Sequence, residues 1–173
     1  MGTAGYGKRG FLILLVAVLV FAFACAALAD SPKFNSTKDF LEYLDENDVK
    51  YSFLGMNDDQ KFEQVQVNYS GDNVDEIHLM IFFHKDEDQA AVRCWNLVTV
   101  PQENLDEAYR MVNAKNLEYR WVSFTLDTQD NTIQAEADVG FRSRDVGAIC
   151  HDMISRVVAI VDECYPDLQT LEK

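Results

Sequence analysis

A chain of 173 residues suits one domain with a core of its own, and its 29 acidic against 15 basic residues give it a net charge of −14. Such a surface repels nucleic acid and anionic lipid, which argues against both as partners and leaves basic partners, cations or plain solubility. No G-x-S-x-G elbow, phosphate-binding glycine loop or paired-cysteine zinc spacing occurs, so no catalytic residue, cofactor or metal site is expected and a non-enzymatic role is favoured.

The first 29 residues stand apart. Lys8 and Arg9 are their only charges, and residues 11–29 run uncharged as FLILLVAVLVFAFACAALA. A basic start, an apolar stretch and a small-residue exit form a secretory signal, and Ala27-Leu28-Ala29 supplies the A-x-A form. Cleavage before Asp30 is therefore expected, leaving residues 30–173 periplasmic or extracellular. Two alternatives stand beside it. The uncharged run is long enough to span a bilayer if uncut, so membrane contact is expected through residues 1–29 alone. Cys25 follows Ala22-Phe23-Ala24, a lipidation box without its usual branched aliphatic residue. Tyr6 stands where myristoylation of Gly2 would need Ser or Thr. Loss of Lys8 and Arg9 from the 15 bases leaves 13 against 29 acids, a net charge of −16.

Beyond the leader, the hydrophobic period switches along the chain. Ser36 is placed to cap a helix and Asp39 to reach back as a capping box, with Phe40, Leu41, Tyr43 and Leu44 as the apolar face and residues 45–48 as its end. Val49, Tyr51 and Phe53 alternate, as do Val65, Val67 and Tyr69, with the turn cluster Ser70-Gly71-Asp72-Asn73 after them. In residues 76–84, Ile77, Leu79, Ile81 and Phe83 share one strand face. Met80 and Phe82 make the other face apolar too, which predicts a central or doubly covered strand. After the charged loop Lys85-Asp86-Glu87-Asp88-Gln89, Val92, Cys94, Val98 and Val100 continue as a strand.

Pro101 opens a second helix, where its missing N–H costs nothing, and Leu105, Ala108, Tyr109 and Val112 form its apolar stripe. Val122, Phe124 and Leu126, then Ile133, Ala135, Ala137, Val139 and Phe141, alternate with polar neighbours as a half-exposed hairpin. The last helix carries Val146, Ile149, Cys150, Met153, Val157, Ile160, Val161 and Cys164 inward, pairs Asp152 with Arg156, and stops at Pro166. The class is α+β. A mostly antiparallel sheet of five or six strands is expected with the terminal helices on one face, in the order α-β-β-β-β-α-β-β-α.

Little local chemistry emerges. His78 and His84 share a strand face but stand ~20 Å apart, and His151 is alone on the last helix. Asp127-x-Gln129-x-Asn131 has calcium-loop spacing, yet Thr132 replaces the turn glycine and Asp138 the bidentate glutamate, so a hairpin tip is the better reading. Cys150 and Cys164 on one helix lie ~21 Å apart, too far to bond each other. Burial of all three cysteines is expected, with a bond from Cys94 to one of the others as the alternative. Trp95 and Trp121, on faces opposite the core, are candidate partner-binding anchors together with Met80 and Phe82. Asn104, Asn113 and Asn116 are candidate polar contacts, or else helix and loop caps.

Asp48-Val49-Lys50-Tyr51-Ser52-Phe53 after the first helix, Val100-Pro101-Gln102-Glu103-Asn104 leading to Val112-Asn113-Ala114-Lys115-Asn116, Arg120-Trp121-Val122-Ser123-Phe124, and the closing Cys164-Tyr165-Pro166 together resemble the YbjN-domain family. Its members are assigned to bacterial sensory transduction, and its fold is similar to the class I type III secretion chaperones. The resemblance spans residues 36–168. It implies a protein-binding or chaperone-like scaffold, often a homodimer, with no cofactor, no reaction and no catalytic residues to carry over. The leader departs from family members that act in the cytosol and favours an exported module, with an exported small-ligand or cation-binding protein as the alternative.

Overall fold

Three helices and six antiparallel strands follow one another in the expected order in the computed structural model, which describes residues 31–59, 61–85, 88–142 and 145–172. The leader, with its cleavage, anchor and lipidation readings, and Asp86 and Glu87 of the charged loop lie outside the described residues.

Helix α1 (Asn35–Glu46) buries Phe40, Leu41 and Leu44. Its start differs from the expected capping box. Phe34 occupies the N-cap and no side chain of the helix caps it. Instead the carboxylate of Glu63, from the second strand, accepts the N–H groups of Lys33 (2.5 Å) and Phe34 (3.2 Å). A tertiary acceptor takes the place of the local Ser36–Asp39 one, which is why sequence spacing alone missed it.

The sheet comprises β1 (Tyr51–Asn57), β2 (Phe62–Tyr69), β3 (Ile77–His84), β4 (Gln89–Thr99), β5 (Ser123–Asp127) and β6 (Thr132–Gly140), in spatial order β1-β2-β3-β4-β6-β5. β3 is interior, as its two apolar faces require. Strands β1 to β4 form a meander. The chain then leaves the sheet, passes through a 3-10 turn (Gln102–Asn104) and α2 (Leu105–Glu118), and returns with β5 at the far edge and β6 beside β4. Pro101 opens that 3-10 turn, and the α-helix begins only at Leu105. Tyr109 also departs from its expected place in the apolar stripe. It is 50% exposed, because Ala108 and Val112 define the buried line and Tyr109 falls ~100° away from Ala108.

α3 (Val146–Leu168) buries Val146, Cys150, Ile154, Val157, Val161, Cys164 and Leu168, joining α1 and the inward sheet residues Val65, Leu79, Ile81, Phe83, Val92 and Ala135 in one core. At ~1.5–3 kcal/mol for each large apolar side chain, this helix is a main source of stability. Asp152 and Arg156 pair at 2.9 Å as expected, whereas Ile149 is 37% exposed. Pro166 does not stop the helix, which runs on to Leu168. A proline there leaves the carbonyl four residues back without its helical donor. That carbonyl belongs to Asp162, and Nδ2 of Asn73 donates to it at 3.1 Å. The β2–β3 turn thus fills the gap the proline makes.

All three helices bury their apolar residues in the same cluster as one face of the sheet. Among the described residues no helix lies over the other face.

Candidate functional site

The uncovered sheet face is built by strand parity. On β2 it presents Phe62, Gln64 and Gln66; on β3, Met80, Phe82 and His84; on β4, Ala91, Arg93 and Trp95. Register then sets the aromatics against one another. Phe62 meets Phe82 edge-on at 4.9 Å between centroids, and Phe82 meets Trp95 at 5.6 Å. His84 adds an edge contact to Phe62 at 5.4 Å. An aromatic run therefore crosses three strands on a face over which none of the described helices lies.

Trp95 sits where the β4–β6 register shifts between Cys94 and Val98, next to Asn96 at φ 55°. This bulge lifts the indole out of the ladder and leaves it 47% exposed. Trp121 is 61% exposed and precedes β5 instead of lying within it. β5 begins at Ser123, which pairs with Glu136. Met80 is half-buried and Phe82 nearly covered, so the tryptophans supply most of the accessible aromatic surface.

Arg93 is the basic side chain at the middle of this face. Its guanidinium reaches Glu136 at 3.4 Å and Asp138 at 3.0 Å and donates to the carbonyls of Val92 (2.9 Å) and Ala137 (3.1 Å). Two carboxylates against one cation leave a surplus negative charge, and Asp138, with a side chain 73% exposed, carries it to solvent. Sequence reading missed Phe62, Arg93, Glu136 and Asp138. Their alternation with core residues was visible, but only strand pairing brings them together.

The asparagines go elsewhere. Asn116 accepts the N–H of Phe124 at 2.7 Å and donates to its carbonyl at 2.9 Å, clasping α2 to the outer edge of β5. Asn104 donates to the carbonyl of Leu171 at 2.9 Å. Asn113 is exposed on α2.

Cys94, Cys150 and Cys164 are free and buried, so the alternative bond to Cys94 is not formed. Burial pushes the thiols of Cys94 and Cys150 up to about 12, and Cys164 is raised as well. His78 lies near Asn68 (3.0 Å) and Glu76 (3.6 Å), and His151 packs on Tyr43. The Asp127 segment is a hairpin tip, its carboxylate accepting the N–H of Gln129. A cleft of about 650 Å³ at the start of α1 mixes Lys33, His84 and Lys85 with Asp39 and Asp88. Among the described residues no three His, Cys, Asp or Glu side chains converge to hold a metal ion, and no helix is long and apolar enough to cross a membrane.

Comparison with known proteins adds the lineage. No curated protein matches the chain. A crystal structure described as "YbjN, a putative transcription regulator from E. coli" superposes with a TM-score of 0.50 at 12% identity, covering 76% of this chain and 93% of that one. It shares the fold. The family profile named YbjN, "Putative bacterial sensory transduction regulator", matches residues 40–170. That stretch takes in the sheet and most of the helical layer, and the chain accordingly belongs to the YbjN family.

Proposed function

We propose that this chain is an exported, non-catalytic member of the YbjN family that works by binding a protein partner on its uncovered sheet face. The observation that carries the reading is the Phe62–Phe82–Trp95 run, at 4.9 and 5.6 Å, on a face over which none of the described helices lies, with Trp121 exposed ahead of β5. Tryptophans left half-exposed on a sheet are the usual anchors of a protein interface. Export rests on the uncharged run of residues 11–29 and the Ala27-Leu28-Ala29 exit. A regulatory role rests on the family's description.

Photocrosslinking residues placed at position 95 or 121 of the full chain in its native host test the binding surface. Adducts are expected from both sites and none from position 159, on the outer side of α3. Equal adducts from position 159, or none from positions 95 and 121, would overturn the reading. Mass analysis tests export: an N-terminus at Asp30 is expected, and an intact chain in the cytosol would remove that half.

A further inference from the structure

We infer that the occupant of the uncovered sheet face is a basic polypeptide segment, its apolar side chains on the Phe62–Phe82–Trp95 run and a lysine or arginine seated at Asp138. This rests on the reading of that face as the partner-binding surface and names the partner's chemistry. Two observations select it.

The first is charge. Arg93 is the one basic side chain in the middle of the face, and it is held by Glu136 and Asp138 together. A second cation completes this set of charges, and Trp121, exposed two residues ahead of the Ser123 that pairs with Glu136, offers a ring face at that edge of the sheet. The second is the surroundings. At these strand ends Asp58, Asp59, Asp88 and Asp127 outnumber Lys61 and Lys85. With a chain charge of −14, approach of a basic segment is steered and approach of an acidic one is opposed. A second copy would bring another −14 against this face, whereas a basic segment lowers the charge there.

The test uses the full chain and two labelled 12-residue probes, one alternating lysine with leucine and one alternating glutamate with leucine. The lysine probe is expected to bind at least tenfold more tightly, to shift tryptophan emission, and to weaken steeply between 50 and 300 mM salt. Trp121→Ala and Asp138→Asn are each expected to weaken it about fivefold or more, with Trp95→Phe as a fold-preserving check on the aromatic run. Glu107→Gln, on α2, is the control for unspecific attraction and is expected to change nothing. Equal or tighter binding of the glutamate probe, or equal losses in Glu107→Gln and Asp138→Asn, would overturn the basic-segment inference. The partner-binding reading would survive that result if crosslinks at positions 95 and 121 persist. A doubling of mass with concentration that Trp121→Ala abolishes, without lysine-probe binding, would also overturn it and assign the face to a second copy. Absence of both probe binding and crosslinks would remove the inference and the reading together.

Discussion

Asp162 shows how much one side chain can organise. Its carboxylate accepts the N–H groups of Asp72 (3.1 Å), Asn73 (2.7 Å) and Val74 (3.1 Å), while its carbonyl, deprived of a donor by Pro166, accepts Nδ2 of Asn73. Gly71 is required beneath it, since a Cβ there would run into that carboxylate. The hydrogen bonds from Asn73, Asp72 and Val74 hold the Asp162 carboxyl below its ordinary value. A carboxyl depressed in the folded state stabilises above its unfolded value of ~3.9, and that contribution disappears as pH falls through the folded value. Asp162→Asn is therefore expected to be less stable than the wild type at pH 6 and to converge with it as pH falls through the folded value, read by urea unfolding across pH. Asn116→Ala removes both bonds to Phe124 and should cost ~1–3 kcal/mol, with loss of hydrogen-exchange protection at the Phe124 amide. Raised thiols in the core imply that Cys94, Cys150 and Cys164 stay unmodified by a thiol reagent in the native protein and react only on denaturation, which peptide mass mapping reads directly. Glu63 was the residue least legible beforehand. A carboxylate on the parity of Val65 and Val67 was the available signal, but its partners lie 30 and 29 residues away.

Between elements, the decisive approach is α1 on α3. Gly147 lets the two helices close: a Cβ there would press on Tyr43 and come within 2.9 Å of the Asp39 carbonyl. Gly147→Ala is expected to destabilise by ~1–3 kcal/mol despite alanine's better helix propensity, measured by thermal and urea unfolding. An unchanged or raised midpoint would mean that the helices can part without loss. Helix and strand positions were largely readable because each has its own burial period, and the hairpin of β5 and β6 followed from alternation alone. Helix ends were not. α1 is tied down by Glu63 from another strand, α2 is delayed by a 3-10 turn, and α3 passes Pro166 because Asn73 supplies the missing donor. Each exception depends on a partner distant in sequence.

Across the whole molecule, acids outnumber bases nearly two to one, so the compact state carries self-repulsion. Raising NaCl from 0.05 to 0.5 M shortens the Debye length from ~14 to ~4 Å and should raise the unfolding midpoint. A falling midpoint would show that ion pairs such as Lys115–Asp167, at 2.6 Å, outweigh the repulsion. The same sign of charge reaches the aromatic face, where Arg93 is shared between Glu136 and Asp138.

The order of the elements, the α+β class and the inward side of each amphipathic segment follow from the sequence by itself, because period two and period 3.6 are local properties of side-chain direction. Which strands neighbour one another, and hence that Phe62, Phe82, Trp95, Arg93 and Asp138 share one surface, was decided only by the tertiary structure. Pairing depends on contacts between residues tens of positions apart, and no local period encodes them.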